Sequence, residues 1–215
     1  MERGRFERFA PLAGLGFIVL LAIGRTITEI AGTYPDADAS TADAVSYWSD
    51  HQNAQIAVAV VESFAGLFFV WFAASVCGLL ESASDAARRL SRLCFGGAVI
   101  AGVAILIEQS LVFTTADVAG DVPDQVTQTL SALQADFFIP FAGGFALFHI
   151  AAGILVLRSV VLPRWLGWLS VAAGVLWLTP LPGLYLGFLW VLIASVMLFL
   201  RGSGEAAGAP RVAPA

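Results

Sequence analysis

Lysine is absent from the 215 residues, so all eleven cations are arginine. That reads as composition bias and not as chemistry. Charge of either sign is scarce: Asp, Glu, Lys and Arg make up 13% of the chain, about half the share usual in soluble domains. No basic patch suits a nucleic acid, and no nucleic-acid motif is present. Histidine and cysteine occur twice each. There is no HExxH, GxSxG or CxxC, no paired His and no Cys–His set, which leaves no metal signature and no recognised catalytic motif. No cofactor is implied. No calcium-loop pattern occurs in the acidic segments. Cys77 and Cys94 fall at the inner ends of apolar runs, on the side taken as cytoplasmic, where free thiols are expected.

Hydrophobic residues are plentiful at 59%, and the mean hydropathy of +0.84 calls for a solvent other than water around most of the surface. The apolar runs are too long for barrel strands, and a spanning backbone of that length satisfies its own polar groups only as helix. The chain therefore reads as an all-α polytopic transmembrane helical bundle of six spans, at about 10–31, 56–80, 93–115, 137–157, 165–179 and 184–200. It forms one domain over 1–201, followed by a Gly-, Ala- and Pro-rich tail, 202–215, expected to be disordered. The first run is taken as a retained helix and not a signal peptide. It is long for a signal sequence, and Arg25 and Glu29 stand where cleavage would fall. Ala59/Ser63, Ala98/Gly102 and Ser170/Gly174 have the small-xxx-small spacing that lets helices approach closely. No internal repeat is visible.

The connections alternate in sign. With the N-terminus inside, the inner segments hold Arg3, Arg5, Arg8, Arg88, Arg89, Arg92, Arg158, Arg164, Arg201 and Arg211. The outer segments hold eight Asp and no Arg. By the positive-inside rule both termini are cytoplasmic, which places the protein in a bacterial inner membrane. The weakest point is Pro180-Leu181-Pro182-Gly183, a turn signal that either joins two spans or breaks one. In the first outer segment, Ser40 to Asp43 reads as a capping box before a short interfacial helix with Trp48 at headgroup level. His51 is read as solvated. Trp165 and Trp168 suit interface anchoring, and Trp71, Trp177 and Trp190 suit packing or lipid contact.

Arg25 is the one arginine inside a run, a helical turn before Glu29. An ionised residue in hydrocarbon costs about 2.5–3.5 kcal/mol on insertion scales, so it is normally turned inward and paired. Arg25, Glu62 and Glu108 each lie roughly 10 Å below the outer boundary, Glu29 is one turn shallower, and His149 is deeper, at roughly 18 Å. These five residues form the candidate intramembrane cluster. The first reading is a buried salt-bridge network in which the Arg25 fork ties helices one, two and three, making the protein non-enzymatic and structural or accessory. The second is a transport site for a small ion, proton or polar solute, reached from outside. The third and least favoured is a membrane-embedded enzyme using Glu62, Glu108 and His149. Gln109 is expected to hydrogen-bond its neighbour Glu108, and His149 to be a packing residue.

Two stretches resemble known sequences. Ser46-Tyr47-Trp48-Ser49-Asp50-His51 resembles an outer segment of small uncharacterised actinobacterial integral membrane proteins. Leu162-Pro163-Arg164-Trp165-Leu166-Gly167-Trp168-Leu169 is similar to the start of a late span in the same proteins and in the DUF4386 group. The resemblance covers the layout from Tyr47 to Leu200. It implies a multihelical membrane protein and carries no functional residues. The expected partners are the lipid bilayer, a further membrane protein or second copy, and a small ion or solute.

Overall fold

The computed structural model describes residues 9–81, 85–177, 179 and 182–208; side chains are described as far as Arg201. Every regular element among them is helical. After a 3-10 turn at Ala10–Leu12, the α-helices are α1 (Ala13–Ala31), α2 (Thr41–Asp50), α3 (Gln52–Leu80), α4 (Asp85–Val118), α5 (Asp124–Ala135), α6 (Ile139–Arg158), α7 (Arg164–Leu176) and α8 (Pro182–Gly208). Five stretches are long and apolar enough to cross a membrane: Ala10–Ala31, Gln52–Leu80, Asp85–Val118, Asp124–Arg158 and Pro182–Arg201. The chain is thus a multi-pass membrane protein by length and hydropathy. The expected span 165–179 is α7, which has 13 residues. At 1.5 Å per residue it reaches about 20 Å, short of a hydrocarbon core of about 30 Å. α8 continues past Arg201 to Gly208, into the segment expected to be disordered; 209–215 lie outside the described residues, as do Arg3, Arg5 and Arg8.

Six of these helices form a closed ring. α1 packs on α3, α3 on α4, α4 on α6, α6 on α7, α7 on α8, and α8 returns to α1. Lipid tails are as apolar as the core, so these helices are held by close packing and not by exclusion of water. Small residues supply it: a Cβ on Gly97 or Gly144 would run into the backbone of the facing helix, so α4 and α6 meet almost backbone to backbone. Ala98 and Gly102 are buried on α4, and Ser170 and Gly174 on α7. Aromatic rings fill the ring's centre. Phe17 from α1 meets Phe69 of α3 at 5.0 Å and Phe188 of α8 at 5.4 Å, while Phe145 of α6 stacks on Trp177 at 4.7 Å. Each such pair adds about 0.5–1.5 kcal/mol beyond burial. Ser195 donates to the carbonyl of Pro11 at 2.5 Å and accepts from the amide of Leu15, closing the ring between α8 and α1.

Two expectations are corrected at the ends of the bundle. Cys77 and Cys94 are joined as a disulfide, with Cα atoms 6.4 Å apart. The α3–α4 hairpin brings them face to face. Both are buried, so the solvent redox poise on which free thiols were expected does not reach them directly. At the other end, Ser40 caps α2, accepting from the Asp43 amide at 3.2 Å and donating to its carboxylate. Trp48, however, is fully buried against Tyr34 and Tyr47. It packs there because α2 is pinned over the bundle by a second short helix, α5, formed within an acidic stretch between apolar runs. Gln128 of α5 accepts from Thr41 at 2.6 Å and donates to the carbonyl of Ala39 at 3.0 Å.

Candidate functional site

α1 sets the geometry of the polar cluster. Phe17, Gly24 and Thr28 are its buried residues in the middle and outer half. Each helical residue turns the chain by about 100°, so with 24 and 28 facing inward, Arg25 and Glu29 point away. Both are exposed. Arg25 makes no direct ion pair among the described residues, and its expected role as the inward-turned fork is corrected on that ground.

The residue that α1 turns inward is Gly24, and what it meets is Glu62. A methyl group on Gly24 would come within 2.5 Å of Glu62 Oε1, so the carboxyl lies flat on the glycine backbone. Glu62 is half-buried, and its second oxygen accepts from Gln109 Nε2 of α4 at 2.8 Å. Gln109 therefore serves Glu62 on the neighbouring helix and not Glu108 beside it. The helical phase again explains this, because adjacent residues do not share a face. Glu108 is also half-buried, and the Glu62–Gln109 bond sets it, one residue from Gln109 on α4, near the level of Glu62. Glu29 is not part of that contact.

A polar lid lies above them. Tyr34 donates to Gln55 Oε1 at 2.8 Å, Gln55 Nε2 donates to Tyr47 Oη at 2.7 Å, and Tyr47 donates to the carbonyl of Gly32 at 2.9 Å. Gly32 ends α1 with a φ of 116°, a left-handed conformation that glycine adopts freely. Gln55 is fully buried and stands two turns above Glu62 on the same face of α3. Burial pushes the Tyr47 phenol up to about 12. It raises Tyr34 further, against a hydrogen bond with Thr28 and with help from the charges of Glu62, Tyr47 and Glu108. His51 is half-buried with Nδ1 at 2.8 Å from the Tyr47 carbonyl, so it is not simply solvated. Tyr34 and Gln55 escaped the sequence reading. The seven-residue interval between Gln55 and Glu62 was the available signal.

Several buried polar atoms have no hydrogen-bond partner among the described residues. They are Gln109 Oε1, Trp48 Nε1 and, on one face of α5, Thr127 Oγ1, Ser131 Oγ and Gln134 Oε1. The last three recur at i, i+4 and i+7, and α5 packs on α2 and α4. Natural proteins leave few buried polar groups unpaired. A groove of about 420 Å³ between α3 and α4 has Gln109, Ser63 and Ser110 in its walls.

His149 belongs elsewhere. It is fully buried on α6, its carbonyl accepts from Ser170 Oγ at 2.7 Å, and its ring meets Phe148 and Trp190 edge-on. Its Nε2 and the Trp177 Nε1 both approach the place a Gly187 Cβ would take, at 2.8 and 2.7 Å. None of its contacts is with Glu62 or Glu108. Among the described residues no group of three or more His, Cys, Asp or Glu is placed to hold a metal ion. Comparison with known protein families, with curated proteins and with solved structures gives no match.

Proposed function

We propose that this multi-pass protein takes up a proton or small cation from the outer side at the carboxyl pair Glu62 and Glu108, as a non-enzymatic transport or sensing element of a bacterial inner membrane. The observation that carries this reading is the pair itself. Both carboxyls are half-buried at the α3–α4 contact, where Glu108 precedes Gln109; among the described residues an amide is the direct partner of Glu62, and no cation is bonded to either. Two like charges so placed favour holding one proton or cation between them. Tyr34, Gln55 and Tyr47 above, and Gln109 Oε1, which has no partner among the described residues, offer polar groups on the outer approach. The Arg distribution supports six membrane segments with both ends inside, α7 and α8 together completing the last return.

A second reading, a purely structural or accessory role, draws on Gly24, which seats Glu62, and on Gln109, which ties α3 to α4. Reconstitution in liposomes separates the two. Glu62→Gln and Glu108→Gln variants that fold normally are expected to lose a pH- or cation-driven flux shown by the parent. Folded variants with an undiminished flux would sink the transport reading, and a parent without flux would leave the pair as a structural element.

A further inference from the structure

We infer that the open face of α1 is a self-association surface for a second copy of this chain, locked by Arg25 of each copy against Glu29 of the other. Among the described residues α1 packs chiefly on α3 and α8, with Phe17 also reaching Phe145 of α6. Its remaining face exposes Leu15, Val19, Ala22, Thr26 and Glu29. Their intervals of four, three, four and three residues are the seam of a left-handed helix pair. Ala22 and Thr26, small and four apart, sit at its middle and let two backbones approach. The Thr26 hydroxyl already donates to the Ala22 carbonyl at 2.8 Å, so the seam needs no water.

The charges choose the occupant. Arg25 flanks the seam in the outer half of the span, and neither it nor Glu29 has a hydrogen bond or direct ion pair among the described residues. An exposed ion in hydrocarbon is costly and is normally paired. A partner must therefore present an acid opposite Arg25 and a base opposite Glu29. A second copy does so, because a two-fold axis along the membrane normal sets each Arg25 beside the other chain's Glu29, one turn up. All copies insert with the same orientation, so the parallel pair is the one available. The same face thus completes itself, as a two-fold interface must. This inference is independent of the role proposed for Glu62 and Glu108.

The test uses full-length chains with two distinguishable tags, co-reconstituted in lipid bilayers, with co-capture as the readout. The parent is expected to self-associate. Arg25→Glu alone and Glu29→Arg alone should each lower self-association at least tenfold, and mixing the two variants should restore capture near the parental level, since one chain then carries two acids and the other two bases. Spin labels at Val19→Cys provide a measurement that needs no charge change. Cys77 and Cys94 are joined to each other, so the introduced thiol is the one labelled. A short distance between copies is expected there, and none for Leu67→Cys on the exposed face of α3. A monomeric parent, four equal capture levels, or no short distance at Val19 would each overturn the inference.

Discussion

Glu62 is the most constrained residue of the site, and the constraint is an absence on the facing helix. Its carboxyl occupies the space where a side chain at 24 would start. Gly24→Ala should push it off the Gln109 amide and destabilise the folded protein by about 1–3 kcal/mol, the usual cost of overpacking. Thermal unfolding in detergent checks this. The added cost should largely vanish when Glu62→Ala is present too, and independent, additive effects would refute the contact. Glu62 and Glu108 could be placed at one depth from the sequence because depth follows from residue counts. Arg25 could not be assigned a direction, because the inward face of α1 is fixed by Gly24 and Thr28, a glycine and a small polar residue that carry little hydropathy signal. The same phase argument sends Gln109 to Glu62 and away from its neighbour.

Among the elements, the outer lid has a pH dependence of its own. Tyr47 is raised by burial from its ordinary value near 10 to about 12. The folded lid therefore holds the phenol proton more tightly than the unfolded chain does. Stability from this group is complete below pH 10, falls as the pH rises toward 12, and is lost above it. Unfolding curves of the parent should show that decline between pH 10 and 12, and Tyr47→Phe should flatten it; an identical decline in the variant would remove Tyr47 as its cause. α2 was legible in the sequence from its Ser40 cap. α5 was not, because its buried face is Thr127, Ser131 and Gln134, which by hydropathy reads as a solvated loop. The α7 segment was legible as apolar but not as short, since the sequence continues apolar through Trp177 and Leu178, beyond the helix end at Leu176. The Cys77–Cys94 pair was hidden because a hairpin's facing positions depend on where its helices end.

At the scale of the whole molecule, a ring of helices with an aromatic centre carries its polar groups off-centre, on the outer half of α1, α3 and α4. That asymmetry was legible, because the acids occur in the first three runs and the last three carry none. The closure of the ring from α8 back to α1 was not, since hydropathy marks neither Ser195 reaching the first turn of the chain nor the pairing of Phe17 with Phe188. The account stands on the carboxyl pair exchanging a proton or cation with the outer solution. Infrared difference spectra of the protein in bilayers, recorded between acidic and neutral outer pH and with and without added cation, read those carboxyls directly. The account predicts carboxyl bands that change in the parent and disappear in the folded Glu62→Gln, Glu108→Gln double variant. Spectra that are the same in parent and double variant would contradict it.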